Sequence, residues 1–386
     1  MKLAIIHDWL LGMRGGERCL EAICMEFPGA DIYTMFYRPG GISAPIKRHR
    51  IMVSSLQLLP GVASYYRYLL PFFWVGSCSL SHRLKKEHQR EKYDLVISVS
   101  HCIAKNVRVP DGVPHLCYCL TPMRYLWDQY DSYFRGHPLE WLMRRIVPLL
   151  RRWDVEGSKR VNRFCAISEF VRASIRYVYR SDAAVVYPPV ATDWIVPRRE
   201  GASGEGFLCV SALVPYKNLE IIIRAFNRLP YQLTIVGSGP GEKALREIAG
   251  RNITILSKIS DEKLARLYRS ARALVFAAEE DFGMAPVEAQ AAGRPVICYA
   301  RGGLLETVRG GEVKPTGVYF SQLTEDALLS AIREFVRKET EFSAADCVRN
   351  ARRFSSERFY SDFHQALRSI GFAVPDWEER RAAGGA

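Results

Sequence analysis

Short β-branched runs, each followed by a loop and then a helix-like stretch, recur along this 386-residue chain, break once, and recur again. Lys2–His7 reads as a buried strand, Asp8–Gly16 as a loop and Glu17–Glu26 as a helix. Strand-like runs follow at Asp94–Ser98, His115–Cys119, Phe164–Ile167 and Ala184–Tyr187, with helical stretches such as Leu149–Asn162 and Glu169–Tyr179 between them. A parallel neighbour needs a crossover, which a helix supplies, so this alternation predicts a parallel sheet covered by helices. The stretch 188–206 is rich in Pro, Gly, Arg and Ser and reads as a linker. The pattern then restarts. Strands are expected at Phe207–Ser211, Leu233–Val236, Ile253–Leu256, Ala273–Phe276 and Val296–Tyr299. Helices are expected at Asn218–Asn227, Gly241–Ala249, Asp261–Ser270 (capped by Ser260) and Ala285–Ala292 (stopped by Gly293). The predicted class is α/β: two doubly wound Rossmann-like domains facing each other across a cleft. Their expected bounds are 1–195 and 205–360, with a C-terminal helical tail, 361–386, for which a return to the first domain is one arrangement.

Hydrophobic residues make up 48% of the chain, enough for buried cores, which excludes a disordered polymer. The apolar run at the N-terminus ends after four residues at His7 and does not read as a signal peptide. The nearest approach to a membrane span, Tyr68–Leu80, is too short and contains Pro71 and Gly76. The ten cysteines lack metal-ligand spacing, and Cys117 and Cys119 are too close for a good disulfide, so reduced thiols in a cytoplasmic setting are expected. The net charge of +13 is uneven: residues 1–200 hold 29 Lys/Arg against 18 Asp/Glu, the remainder 25 against 23. An anionic partner for the first half follows. Neither zinc-finger spacing nor an RNA-binding aromatic motif is present, which argues against nucleic acid. Tyr65–Lys92 and Trp141–Trp153 interleave aromatic and aliphatic residues with Arg and Lys. Such stretches suit an anionic membrane face; the alternative is helices packed on their own core with solvated charges.

Four segments carry chemistry. Glu280-Asp-Phe-Gly-Met-Ala-Pro-Val-Glu288 sets two carboxylates eight positions apart, one in a loop and one in a helix whose first turn offers free N–H groups. Acceptors for hydroxyls beside donors for phosphate suit a nucleotide sugar; the plain alternative is an acidic helix start that complements the dipole. Lys217 follows the second domain's first strand, where a parallel sheet binds ligands, and supplies a point charge for a diphosphate. Gly15-Gly16-Glu17 allows close backbone approach to a ligand ahead of a helix, and Arg301-Gly302-Gly303 is a strand-end turn whose N–H groups can cradle phosphate. Each of these two, taken alone, reads equally as an ordinary connecting turn.

Taken in order, His7-Asp8-Trp9-Leu10, Gly15-Gly16-Glu17, Ser100-His101-Cys102, Thr121-Pro122-Met123-Arg124-Tyr125, Val214-Pro215-Tyr216-Lys217 and the acidic motif resemble the family 4 retaining glycosyltransferases of GT-B fold, in the mannosyltransferase-like branch of polysaccharide and O-antigen assembly. The resemblance covers roughly residues 1–365. It implies that Glu280 holds hydroxyls of the donor sugar, Glu288 the ribose hydroxyls, and Lys217 the diphosphate. It implies that Phe282, Gly283 and Met284 contact sugar and phosphates through their backbone. Gly15 and Gly16 let a loop close on the donor, and Ser257, Lys258 and Ile259 lie where the base is gripped. The implied donor is a GDP- or UDP-linked hexose, mannose first. The implied acceptor is a glycan, free or linked to polyprenyl diphosphate, at the inner face of the cell membrane.

The chain departs from the family pattern twice. Ala212 stands where the family carries Arg, five residues before Lys217, and Arg301 is a candidate replacement cation. Leu120 replaces the histidine of a His-Thr-Pro motif, and His101 is a candidate for that role. No Asp-x-Asp motif occurs, so a metal-independent reaction without a resident cofactor is expected. The losses at 212 and 120 keep open a catalytically weak nucleotide-binding or scaffold protein, and a GT-B sugar-nucleotide epimerase is a further alternative.

Overall fold

The computed structural model describes residues 1–127, 130, 140–190, 192, 194, 195, 197, 204–372 and 374. Much of the stretch expected as a linker, and the tail beyond 374, lie outside these residues. The chain divides into two compact units: Met1–Tyr187 with the C-terminal segment from Phe359, and Pro188–Arg358. Each is built on a sheet whose described strand pairs are all parallel.

The first sheet contains β1 (Leu3–His7), β2 (Asp31–Thr34), β3 (Arg50–Val53), β4 (Leu95–Ser100), β5 (His115–Cys119), β6 (Arg163–Ala166) and β7 (Ala183–Val185), in the order β3-β2-β1-β4-β5-β6-β7. Every residue of β1, β4 and β5 is buried, as strands covered on both faces require. Ile5 pairs with Ile32 on one side and Ile97 on the other. The second sheet contains β8 (Phe207–Val210), β9 (Leu233–Val236), β10 (Ile253–Leu256), β11 (Leu274–Phe276), β12 (Val296–Tyr299) and β13 (Gly317–Phe320), in the order β10-β9-β8-β11-β12-β13. In both sheets the strand order reverses once, between β1 and β4 and between β8 and β11. The loops leaving such a pair at its carboxyl end diverge to opposite faces and open a crevice, where doubly wound sheets bind ligands.

Helix patterning follows the same logic. In Glu325–Arg337, Leu328, Leu329, Ile332 and Phe335 recur at helical spacing and are all buried. Phe335 meets Phe207 edge-on at 5.9 Å, and truncating such a buried ring costs about 3–5 kcal/mol. Ser260 caps Asp261–Ser270 by accepting from the Lys263 N–H, and Gly293, at φ +75°, lies just beyond Met284–Ala291.

Several elements differ from the sequence expectation. The structure adds β2, β3 and β13, four-residue strands absent from the sequence expectation. The Tyr68–Leu80 run enters a longer helix, Phe73–Arg90. The helix expected at Leu149–Asn162 occupies Glu140–Ser158 and absorbs Pro148 in its interior. Gly15 and Gly16 form the first turn of the Gly15–Glu26 helix rather than preceding it. The C-terminal part of the described chain forms two helices, Ala344–Ala351 and Ser356–Arg368, the second of which starts before the expected tail. Phe359 and Phe363 of the latter pack edge-on against Tyr118 at 5.7 and 6.1 Å, which fixes the C-terminal helix to the first unit's core.

Candidate functional site

In the second unit the two loops at the strand reversal carry Lys217, after β8, and Glu280, after β11. Their side chains form an ion pair, with 12% and 21% of each exposed. Local structure places them there. Asn218 takes the left-handed conformation at φ 54°, and its side-chain amide donates to the Ala277 carbonyl at 2.9 Å, tying the β8 loop to the end of β11. The Lys217 ammonium also lies 4.9 Å from the centre of the Tyr216 ring.

The β12 loop joins the same place. Glu280 and Gly302 form an isolated parallel bridge, and the Gly303 N–H donates to the Glu280 carbonyl at 2.7 Å. Gly302 has φ +66°, and a Cβ on it would stand 2.2 Å from the Glu280 carbonyl oxygen, so only glycine fits without displacement. Arg301 is therefore adjacent in chain to the residue that bridges Glu280, and it is exposed.

Gly283, at φ +93°, turns the chain into Met284–Ala291. Phe282 is buried, packs edge-on against Phe354 at 5.3 Å, and its carbonyl accepts from the Thr307 hydroxyl at 3.2 Å. This ring anchors the start of the helix in the core. Within that helix Glu288 is half-buried and accepts a 2.7 Å hydrogen bond from the Tyr268 hydroxyl. Burial, and next the Glu288 charge, push the Tyr268 phenol well above its ordinary pKa, so it remains a proton donor.

The structure thus brings Lys217, Glu280, Gly302 and Gly303 together, with Phe282, Gly283, Met284 and Glu288 following on the β11 loop and its helix. Ser257, Lys258 and Ile259 are placed apart from the Lys217–Glu280 pair. They follow β10, which β9 separates from β8, and Ser257 donates to Glu242 at 3.4 Å. Lys258 is exposed with φ 55°.

The first unit gathers a second polar cluster at its own strand reversal, containing His101 and approached by Gly16, with Gly15 adjacent to it in the chain. Asp8, at the end of β1, is fully buried. Its carboxylate accepts from four consecutive N–H groups after β4: His101 at 2.6 Å, Cys102 at 2.9 Å, Ile103 at 2.5 Å and Ala104 at 2.7 Å. The imidazole Nδ1 of His101 lies 2.9 Å from the same carboxylate. Burial raises the Asp8 pKa, but the His101 charge and these bonds outweigh it and hold the group well below the usual carboxylate range. Burial works against a charged His101, yet Asp8 more than offsets it and the imidazole pKa is raised.

His7 donates from Nδ1 to the Val99 carbonyl at 3.0 Å, and its Nε2 lies 3.7 Å from Glu17. Trp9 meets His101 edge-on at 4.5 Å. Gly16 lies over this cluster: a Cβ there would come within 2.8 Å of Leu120 Cδ1 and 3.9 Å of His7. Leu120, at the position of the family histidine, is buried and contributes no polar atom.

Asp8 enters the sequence reading only within the His7-Asp8-Trp9-Leu10 motif, with no role of its own, and Tyr268 does not enter it. Asp8 bonds residues more than ninety positions away, beyond the reach of local pattern. Tyr268 sits at a core position of an amphipathic helix, where an aromatic residue reads as packing. The one available signal was a hydroxyl at a site that phenylalanine would fill.

Residues 197–354 match the family model of glycosyl transferases group 1. The chain is 31% identical over 228 residues to D-inositol 3-phosphate glycosyltransferase of Mycobacteroides abscessus, covering 52% of this chain and 49% of that protein. The chain spans about half or less of the length of the curated relatives it matches first, 49% of that one and 34% of the homonymous protein of a Mycobacterium species. Among solved structures, HepE of Anabaena in complex with UDP is similar at TM-score 0.71 and 16% identity, covering 96% of this chain and 100% of that one. The lipopolysaccharide outer core galactosyltransferase WaaB in its apo form is similar at TM-score 0.66 and 18% identity, covering 96% and 99%. Likeness at such identities carries the fold alone. The chain has the two-domain α/β fold of the GT-B glycosyltransferases, and the segment that matches the glycosyl transferases group 1 model lies within its second unit.

Proposed function

We propose that the chain is a retaining, metal-independent glycosyltransferase. It moves a hexose, mannose first, from a GDP- or UDP-linked donor to a polysaccharide or lipid-linked glycan. The observation that carries this reading is the Lys217–Glu280 pair on the two loops flanking the β8/β11 reversal, followed in chain by a glycine-started helix that bears Glu288. The family match of residues 197–354 supports it.

As the sugar–phosphate bond breaks, positive charge grows at the anomeric carbon and negative charge on the leaving diphosphate. Preorganised cations and N–H groups aimed at that charge are the main source of rate. Lys217 takes the diphosphate, helped by the N–H groups at the start of Met284–Ala291. Glu280 accepts from sugar hydroxyls and Glu288 from ribose hydroxyls. Arg301, exposed beside the Glu280–Gly302 bridge, supplies the cation that Ala212 does not. The leaving phosphate accepts the acceptor's proton, and His101, held by Asp8, is the candidate for the donor-sugar contact of the missing family histidine. A donor screen with GDP-mannose, UDP-hexoses and UDP-N-acetylhexosamines, read as released nucleoside diphosphate, tests the activity. Glu280→Ala is expected to abolish release while the protein stays folded. Nucleotide binding without donor cleavage would instead favour the scaffold reading. The relative named for inositol phosphate adds a phosphorylated polyol to the acceptors worth screening.

The acceptor side is assigned to the cytoplasmic face of a membrane. Among the described residues no helix is long and apolar enough to cross one. The first unit exposes Tyr68, Phe72 and Trp74 close in sequence to Arg67, Arg83, Lys85 and Lys86, a combination suited to peripheral contact with anionic lipid. Co-sedimentation with anionic but not neutral liposomes is the expected result, and failure with both would remove the membrane from the proposal.

A further inference from the structure

Tyr268 is fully buried, with no exposed surface, yet carries a hydroxyl where phenylalanine would pack as well. A buried hydroxyl is unfavourable unless it is hydrogen-bonded. Its partner is the Glu288 carboxylate, 2.7 Å away on the neighbouring helix. A carboxylate offers about four lone-pair sites, so one donor can fix the orientation of its plane without exhausting its capacity. The helix that carries Tyr268, Asp261–Ser270, starts directly after the loop containing Ser257, Lys258 and Ile259. The bond therefore links the element following β10 to the element following β11.

We propose that Tyr268 is a positioning residue for the nucleotide. It does not touch the ligand; it holds the Glu288 carboxylate in the orientation that accepts the vicinal hydroxyls of a ribose. Discrimination between a ribonucleoside diphosphate and its dideoxy counterpart then depends on a phenol outside the binding surface. This inference rests on the reading of Glu288 as the ribose-binding residue.

Calorimetric titration of the full chain with GDP, UDP and their 2′,3′-dideoxy forms tests it. Wild type is expected to bind the ribonucleotide more tightly than the dideoxy form. Tyr268→Phe is expected to weaken the ribonucleotide about tenfold, the loss of one hydrogen bond to a charged group, and to leave the dideoxy form within about twofold. In steady state the donor KM rises while kcat at saturating donor changes little. In a Glu288→Gln background Tyr268→Phe adds no further loss, which guards against a general packing defect.

Equal weakening of both nucleotide forms, or a ribonucleotide affinity unchanged by Tyr268→Phe, would overturn the positioning role alone. Wild type that does not distinguish the two forms, or that binds neither nucleotide, would overturn the reading of Glu288 and this proposal with it.

Discussion

Replacing Gly302 by alanine tests whether the backbone bridge between the β11 and β12 loops sets the geometry of the site. At φ +66° an alanine pays about 1 kcal/mol in backbone strain. The larger effect is steric. Its Cβ would stand 2.2 Å from the Glu280 carbonyl oxygen, whereas ordinary contact begins near about 3.5 Å. The loops must therefore separate by about 1 Å, and the obstacle is backbone, which cannot swing aside as a side chain can. A displacement of that size at a reacting centre costs on the order of 100-fold in rate. The expected result is a fall in donor kcat/KM of about that factor, equivalent to roughly 2.7 kcal/mol of transition-state stabilisation, with a folded protein. Gly311→Ala is the control: it has a comparable positive φ (+103°) but nothing within 4 Å of the added methyl. The assay is release of nucleoside diphosphate, with circular dichroism to follow folding. Folded Gly302→Ala turning over within about threefold of wild type would refute the reasoning.

Two further outcomes concern the first unit. Asp8→Asn leaves an amide NH2 facing backbone donors and removes at least two charge-assisted bonds, a loss of about 3–6 kcal/mol against a typical domain stability of about 5–15; a urea midpoint shift worth under about 1 kcal/mol would contradict this. The raised pKa of His101 gives a stability contribution that is full below its unfolded value of about 6.5 and fades as pH rises through the folded value. Asp8 stays ionised throughout, so the Tm advantage of wild type over His101→Asn should be largest below about pH 6.5 and shrink toward pH 9, and a gap independent of pH would exclude the pair as its source.

Much of the second unit was legible because β8 to β12 are apolar runs that each end in a loop and a helix, and because Lys217 and Glu280 lie in motifs whose place after a strand is readable. The reversal of strand order between β8 and β11 was not locally encoded; it emerges only when the sheet assembles, and it is what brings residues 217 and 280 into contact. The same holds for Asp8 and His101 across β1 and β4. Gly302 shows a related limit. A glycine in a turn is expected from sequence, but the approach of the Glu280 carbonyl that requires it is a tertiary fact. Tyr268 was hidden because helical periodicity reports which face is buried, not which buried atom is polar.

The most direct measurement of the central claim is amide hydrogen exchange with and without the nucleoside diphosphate of the donor that turns over. Protection is predicted in Ser211–Asn218, Glu280–Glu288 and Arg301–Gly303, the three segments that carry Lys217, the two carboxylates and the bridging glycines. Protection confined to other segments, or none at saturating nucleotide, would contradict the assignment of this edge of the second sheet as the donor site.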